Sequence, residues 1–256
     1  MDFITGQPCW AELNAPDVTA AAEFYSDVFG WEFENQGEEF GNYHIALTRT
    51  DSGRAVIGGL GPCADVEDPR AWWSVHLHVD DIEEAYAQAL ELGAEAVSEP
   101  MEIGPPGSTA EIRDPSGAAI RLWQPGVRRG FDAVAQPGCP GWFDLHSKDF
   151  AAAEEFYSGW LGVSFEVPPG MDVNYASAKG VNGEYLFGLM DVAPFYPAEA
   201  SSSWNVYDLV ESSVATLQKA VDHGATMMMD GDPSPFGIIT AFADPQGASI
   251  FAVGSE

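Results

Sequence analysis

Apolar and polar residues alternate along several short segments of this chain. In residues 10–14, Ala11 and Leu13 alternate with two polar residues, and residues 73–79 follow the same period of two. Successive side chains of a β-strand point to opposite faces, so such a segment buries one face and carries polar groups on the other. The pattern therefore predicts half-buried strands at 10–14 and 73–79.

Helix signals follow both of these strands. Asp17 precedes an apolar segment that stops at Gly30. Asp81 precedes a second segment, which stops at Gly93. An Asp side chain before a helix accepts a hydrogen bond from the first turn, and glycine adopts the left-handed conformation that ends a helix. Further strand-like segments follow each helix, which predicts β-α-β-β-β units.

The second half of the chain repeats the first. Residues 10–14 return as residues 142–146, which lie 132 positions later. The Asp-Pro-Ser-Gly sequence that begins at Asp114 returns as Asp-Pro-Gln-Gly at Asp244. A repeat of this length indicates two homologous domains rather than an array of short units.

The length of the chain agrees with this reading. Its 256 residues are enough for two domains of ordinary size, each with its own core. A segment rich in Pro and Gly, without an apolar period, separates the repeats. We predict a first domain at residues 1–126, a linker at 127–137 and a second domain at 138–256.

Three features together carry a family resemblance. They are an Asp-capped helix that contains Phe-Tyr and ends before Gly, a Val-Asp-Asp strand end, and a closing Asp-Pro-x-Gly hairpin. This set resembles the vicinal oxygen chelate superfamily, which includes glyoxalase I, extradiol dioxygenases and bleomycin-resistance proteins. The resemblance implies an α+β fold of two tandem domains. In each domain two βαβββ units would form an eight-stranded cup, open to a ligand on its concave face.

The resemblance also implies four metal-ligand positions in each cup. In this sequence those positions are Trp10, Ala46, Ser74 and Arg121 in the first half and Trp142, Ala178, Asn205 and Phe251 in the second. Divalent transition metals in such sites take imidazole and carboxylate ligands, and none of these residues supplies one. We therefore predict no metal at the family positions, and no cofactor.

Strand alternation predicts which other side chains face the cups. The residues expected to contact a ligand are Trp10, Asn14, His44, Ser74, His78 and Trp123 in the first cup and Trp142, Asp144, His146 and Tyr207 in the second. Aromatic walls with a few polar groups are typical of small-molecule pockets. The first cup is the more polar, so it is the expected functional pocket.

The charged residues of the first cup leave three interpretations open. Glu12 and His76 would be an acid–base pair, because histidine titrates near neutral pH. Glu12 with His76 and His78 would alternatively hold a metal outside the family positions. Glu12 would otherwise pair with Arg121 as a buried salt bridge, since buried charges are normally paired.

Composition limits the partners. The chain has 40 acidic residues against 10 Lys and Arg, a formal net charge of −30. Such a field repels nucleic acids and anionic membranes, so neither is an expected partner. The charge attracts a cationic ligand or simply serves solubility, and both readings remain open. The sequence has no long apolar run and no signal-peptide pattern, so we expect a cytoplasmic monomer or homodimer.

Two functions fit these observations. The first is metal-independent binding of a small aromatic molecule, which the acidic field would favour as a cation. Its role would be antibiotic sequestration or an accessory step in secondary metabolism. The alternative is a glyoxalase-like enzyme. It would be a metal-free isomerase, lyase or cyclase that uses Glu12, His76 and Arg121, or a metalloenzyme with displaced ligands.

Overall fold

The computed structural model describes residues 2–63, 70–170 and 174–256. Over these residues, a strand, a helix and three further strands follow one another four times. The predicted β-α-β-β-β units are therefore confirmed, two in each half of the chain.

The bounds of the elements match the sequence signals closely. In the first half the strands are β1 (Pro8–Ala15), β2 (Glu32–Asn35), β3 (His44–Thr50), β4 (Gly53–Pro62), β5 (Trp72–His78), β6 (Glu95–Glu102), β7 (Gly107–Arg113) and β8 (Ala119–Pro125). In the second half they are β9 (Cys139–Ser147), β10 (Ser164–Glu166), β11 (Tyr175–Lys179), β12 (Tyr185–Asp191), β13 (Ser203–Ser212), β14 (Thr226–Ser234), β15 (Gly237–Ala243) and β16 (Ser249–Ser255). The α-helices are α1 (Val18–Phe29), α2 (Ile82–Glu91), α3 (Phe150–Leu161) and α4 (Ser213–Asp222).

The helices begin and end where the sequence indicates. The Asp17 side chain accepts a hydrogen bond from the backbone N–H of Ala20 at the start of α1, and Gly30 ends this helix with a left-handed φ of 75°. Asp81 accepts in the same way from the backbone N–H of Glu84 in α2. No helix among the described residues is long and apolar enough to span a membrane.

Each half of the chain supplies one eight-stranded mixed sheet. The strand orders are β2-β3-β4-β1-β5-β8-β7-β6 and β10-β11-β12-β9-β13-β16-β15-β14. In each sheet the first strand of a β-α-β-β-β segment pairs in parallel with the last strand of the same segment. For example, β1 pairs with β4, and β5 pairs with β8. The two sheets follow the same plan, which confirms the α+β fold with tandem domains of the vicinal oxygen chelate type.

The described residues form two compact units that combine segments from both halves. Unit 1 consists of Met1–Cys9, Val75–Gly130 and Phe143–Trp204. Unit 2 consists of Trp10–Ser74, Phe131–Trp142 and Asn205–Glu256. The division at residues 127–137 that the sequence suggests stays a prediction.

In unit 2 a buried tyrosine joins segments that are distant in sequence. The Tyr25 hydroxyl donates to a carboxylate oxygen of Asp244 over 3.1 Å, and it accepts from the indole N–H of Trp73 over 3.3 Å. Phe24 and Phe242 belong to the same apolar core. Trp73 is partly buried and packs against this core.

Unit 1 contains the corresponding arrangement. The Tyr157 hydroxyl donates to Asp114 over 2.8 Å and accepts from the indole N–H of Trp204 over 3.2 Å. Asp114 also accepts from the backbone N–H groups of Ser116 and Ala118, so it shapes the turn between β7 and β8. Trp204 is therefore a core residue of unit 1.

Candidate functional site

In unit 1, β5 and β8 present a polar face opposite their apolar one. Leu77 and Leu122 are fully buried on the apolar face. His76 lies beside Arg121, and His78 beside Trp123, in the parallel register of the two strands. Glu111 on β7 pairs with Arg121 in the adjacent ladder. We call these five residues, His76, His78, Glu111, Arg121 and Trp123, the His76 face.

His76 is the most unusual residue of this face. Its side chain is 4% exposed, and within the described part of the chain neither ring nitrogen has a hydrogen-bond partner. Burial, with a smaller effect of the Arg121 charge, holds the pKa of His76 well below its usual value. The ring is therefore neutral at pH 7 and retains one donor and one acceptor nitrogen.

Arg121 has an acidic partner that the sequence analysis did not identify. Its Nε donates to Glu111 Oε2 over 3.0 Å, and both side chains are about one-fifth exposed. Glu111 faces Arg121 because β7 and β8 form a hairpin around the Asp114 turn. The turn is visible in the sequence, so the pairing of Glu111 with Arg121 could have been predicted from it. The predicted pairing of Arg121 with Glu12 stays a prediction.

His78 lies at the end of β5 beside a cavity of about 190 Å³. His78 is 7% exposed, its Nδ1 has no hydrogen-bond partner in the described structure, and its Nε2 lies 3.3 Å from Asp80 Oδ1. The ring centroid of Phe3 is 6.4 Å from that of His78. The cavity is lined by Asp2, Phe3, His78, Pro125, Gly126 and Arg129.

The indole of Trp123 packs beside His76 rather than lying open. The two ring centroids are 6.2 Å apart, with an angle of 69° between the planes. The Trp123 N–H donates to the backbone carbonyl of Arg128 over 3.0 Å. The chain after β8 therefore fixes this ring, and its role as a stacking surface for a ligand stays a prediction.

In unit 2, Trp10 is held by two residues that the sequence analysis did not select. Its indole N–H donates to the Tyr43 hydroxyl over 3.0 Å. Its ring stacks on Phe131, with centroids 6.0 Å apart and 20° between the planes. Phe131 is 1% exposed although it belongs to the predicted linker. A ligand ring at Trp10 would have to share this face with Phe131.

Asn14 and Ser74 come together in unit 2 as alternation predicts. The side-chain amide of Asn14 donates to the Ser74 hydroxyl over 3.0 Å. Glu12 lies two residues earlier on β1 and is partly buried. Glu12 and Asn14 therefore share one polar face of β1, as the alternation of the sequence predicts.

The prediction for β3 is wrong by one residue. His44 pairs with Leu60, and Leu60 belongs to the apolar core together with Ala46 and Leu13. His44 and Ala46 therefore share the face that packs against the helices, while Tyr43 faces Trp10. Residues 43–47, which are Tyr-His-Ile-Ala-Leu, do not alternate between polar and apolar side chains. The sequence therefore does not show which face of β3 is buried.

The same correction applies to β11 in unit 1. Ala178 pairs with Phe187, which is fully buried, and Ser177 pairs with Gly188. Gly188 in turn pairs with Asp144 of β9. Ser177, and not Ala178, therefore shares the face of Asp144.

The polar groups of β9 are internally paired. The Tyr175 hydroxyl donates to Asp144 Oδ1 over 2.9 Å. His146 Nδ1 lies 2.7 Å from the Tyr196 hydroxyl, and burial lowers the pKa of His146 to about 4. Both pairs are complete without a ligand, which sets this region apart from the His76 face.

In unit 2 the second half presents an aromatic cluster. Tyr207 stacks on Phe251 with ring centroids 4.5 Å apart. Trp142 and Leu209 pack against this pair and remain partly exposed. The cluster agrees with an aromatic wall, but it has no buried polar group that lacks a partner among the described residues.

Comparison with known proteins places the chain among glyoxalase-like proteins. A sequence profile for the glyoxalase-like domain matches residues 10–123. The candidate glyoxylase CFP32 of Mycobacterium bovis is 30% identical over 98% of this chain and 95% of its own length. The anthracycline biosynthesis protein DnrV of Streptomyces peucetius is 26% identical over 98% of this chain and 94% of its own length.

Solved structures share the fold. A Mn(II)-bound glyoxalase from Novosphingobium aromaticivorans has a TM-score of 0.67 and 15% identity, over 98% of this chain and 82% of its own. The 2,3-dioxygenase LapB from a Pseudomonas species has a TM-score of 0.65 and 15% identity, over 98% and 93%. At this identity the likeness shows the architecture alone.

Proposed function

This chain belongs to the glyoxalase-like family of the vicinal oxygen chelate superfamily, and we propose that it binds a planar aromatic molecule of secondary metabolism without a metal. The His76 face is the proposed binding surface. The observation that carries the proposal is the buried His76 ring, whose two nitrogens have no partner within the described residues.

A buried imidazole without hydrogen-bond partners destabilises the ligand-free protein, and this favours binding of a ligand that supplies the partners. A buried polar group without a hydrogen bond destabilises a fold by about 1–3 kcal/mol. A ligand that supplies an acceptor and a donor removes this penalty. Phenols and hydroxyquinones carry both kinds of group on a planar ring system, so they match a neutral imidazole beside an indole.

The charges on and beside this face are mixed. Arg121 lies on the face and Arg129 lines the adjacent cavity. Each is paired with a carboxylate, Arg121 with Glu111 and Arg129 with Asp2, and the exposed Arg129 pair can exchange its carboxylate for an oxygen acceptor of a ligand. We therefore propose a neutral or acidic aromatic ligand instead of the cation that the overall charge suggests.

The family's metal chemistry does not suit the residues of this chain. Its metal positions hold tryptophan, serine, arginine, asparagine and phenylalanine here, and the corrected third-strand positions hold Ile45 and Ser177. Within the described ranges, no three His, Cys, Asp or Glu side chains lie close enough to hold a metal. The donor set therefore does not fit a divalent cation, and the proposal includes no step through one.

Two further observations support binding over acid–base catalysis. His76 is a weak base, because burial and, to a smaller extent, the Arg121 charge disfavour its protonated form. Among the relatives, DnrV is a protein of anthracycline biosynthesis. An accessory protein that holds a planar intermediate agrees with both observations.

The proposal is tested by replacing His76 with leucine. We expect the affinity for 3-hydroxy-2-naphthamide, a neutral planar probe, to fall about tenfold or more, the scale of one or two lost hydrogen bonds. The free energy of unfolding should stay the same or rise, because an unpartnered buried ring is removed. Calorimetric titration and urea unfolding measure the two effects.

The control is His223→Leu, which removes a partly exposed histidine at the end of α4. It should leave the affinity for the probe unchanged. If the wild-type protein and His76→Leu bind the probe with equal affinity, the binding site does not include the His76 face.

A further inference from the structure

The cavity beside His78 is bordered by two groups of the chain that together resemble a ligand. The Phe3 ring faces His78, and the Asp2 carboxylate forms an ion pair with Arg129. All four residues line the cavity. An aromatic ring and a carboxylate, held by an imidazole and a guanidinium, have the chemistry of an aromatic acid.

We propose that this cavity is a subsite for a hydroxylated aromatic carboxylate, and that Asp2 and Phe3 compete with it. The ligand carboxylate would take the place of Asp2 on Arg129. A ring hydroxyl would donate to Nδ1 of His78. The inference rests on the proposed function, because His78 belongs to the same face as His76, and it adds the ligand's acidic group.

The hydrogen bonds of His78 define the missing group. Its Nε2 lies 3.3 Å from Asp80 Oδ1, and Asp80 Oδ2 accepts from the Thr5 hydroxyl over 2.9 Å. A carboxylate beside Nε2 assigns the proton to that nitrogen, so Nδ1 is an acceptor in the neutral ring. Nδ1 is buried without a partner in the described structure, and a phenolic hydroxyl is a donor that suits it.

The ion pair between Asp2 and Arg129 is easily exchanged. The two side chains are 90% and 70% exposed, and exposed ion pairs contribute little to stability. A ligand carboxylate can therefore replace Asp2 at little cost. An arginine also recognises a planar carboxylate through two parallel hydrogen bonds.

The size of the cavity limits the part of the ligand that enters. Its volume of about 190 Å³ is below the range of about 300–1,000 Å³ that is usual for whole ligands. The cavity is suited to the acidic end of an aromatic molecule. His76 lies about 7 Å further along the same strand face, within reach of the adjoining rings.

The test compares 3-hydroxy-2-naphthoate with its neutral amide on three proteins. On the wild-type protein the acid should bind about tenfold more tightly than the amide, the scale of one charge-assisted hydrogen bond. Arg129→Gln should remove this difference, because it should weaken binding of the acid about tenfold more than binding of the amide. Asp2→Asn should raise the affinity for the acid about two- to fivefold, because it removes the competitor.

Matched controls separate local contacts from the overall charge. Arg49→Gln and Asp51→Asn make the same changes in net charge at exposed positions of β3 and the following turn. Neither should change the preference for the acid. 2-Naphthoate, which has no hydroxyl group, should bind more weakly than 3-hydroxy-2-naphthoate.

The outcomes distinguish the two proposals. If Arg129→Gln affects both probes equally, or Asp2→Asn affects neither, the acidic subsite is wrong. A loss of amide affinity in His76→Leu would still support the proposed function. If neither probe binds saturably to the wild-type protein, both proposals fail.

Discussion

At the scale of single residues, Asp208 is the clearest departure from a well-paired interior. Its side chain is fully buried on β13, and neither carboxylate oxygen has a hydrogen-bond partner among the described residues. Burial raises the pKa of Asp208 to about 8. The corresponding residue of the first repeat is Leu77, so the second copy carries a carboxyl group where the first carries an apolar side chain.

This burial predicts that the contribution of Asp208 to the free energy of unfolding falls as the pH rises. The folded state keeps the Asp208 proton up to about pH 8, whereas a free carboxyl has a reference pKa of 3.8. The contribution of Asp208 to stability therefore declines between about pH 4 and pH 8 and levels off above that range. Each pKa unit corresponds to about 1.4 kcal/mol, so the upper limit of this contribution is about 6 kcal/mol.

Asp208→Asn should remove most of this dependence. Urea unfolding should show the variant to be more stable than the wild type by about 2 kcal/mol or more at pH 8, with the difference vanishing near pH 4. Asp51→Asn, at an exposed turn, is the control and should change little. A difference between the two proteins that is independent of pH would contradict the assignment.

At the scale of elements, β4 and β12 each have a glycine beneath a tyrosine. A side chain at Gly59 would overlap with the Tyr43 hydroxyl and ring. A side chain at Gly188 would overlap with both Asp144 and the Tyr175 hydroxyl. Glycine on these strands therefore makes room for a tyrosine on the polar face, in each half of the chain.

Gly188→Ala should destabilise the protein by about 1–3 kcal/mol, because the new methyl group forces apart the hydrogen bond between Tyr175 and Asp144. Gly159→Ala is the matched control. Gly159 lies in helix α3 with only ordinary contacts to Leu92, so alanine should raise stability by up to about 1 kcal/mol. Thermal unfolding of both variants measures the contrast. Equal unfolding midpoints of the two variants would contradict the inference that Gly188 makes room for Tyr175.

The elements also show what the sequence can and cannot predict. Helix ends follow from local rules, as at Asp17 and Gly30, and alternation correctly assigns the faces of β1, β5 and β8. The faces of β3 were assigned wrongly because Tyr43, His44 and their neighbours have no polar–apolar contrast. Phe131 was read as a linker residue because its partner Trp10 is distant in sequence.

Strand alternation also predicted part of the candidate site. His76 and His78 lie on one strand, so their shared face follows from the period of two. Phe3 and Arg129 reach the cavity through the path of the chain before β1 and after β8. No local pattern marks such residues, because tertiary packing places them there.

At the scale of the whole molecule, the compact units do not follow the sequence repeat. In unit 1, Tyr157 from the second half donates to Asp114 from the first. In unit 2, Tyr25 from the first half donates to Asp244 from the second. The core of unit 2 likewise joins Phe24 with Phe242. Each unit therefore needs both halves of the chain to complete its core.

We predict that neither half folds by itself. A fragment of residues 1–130 would expose the apolar groups that pack on the other half and would leave Asp114 without its tyrosine donor. Expressed separately, each fragment should lack a cooperative urea transition by circular dichroism. Mixing or co-expressing the fragments should restore it. A fragment of residues 1–130 that unfolds cooperatively at the midpoint of the intact chain would show that each half carries its own complete core.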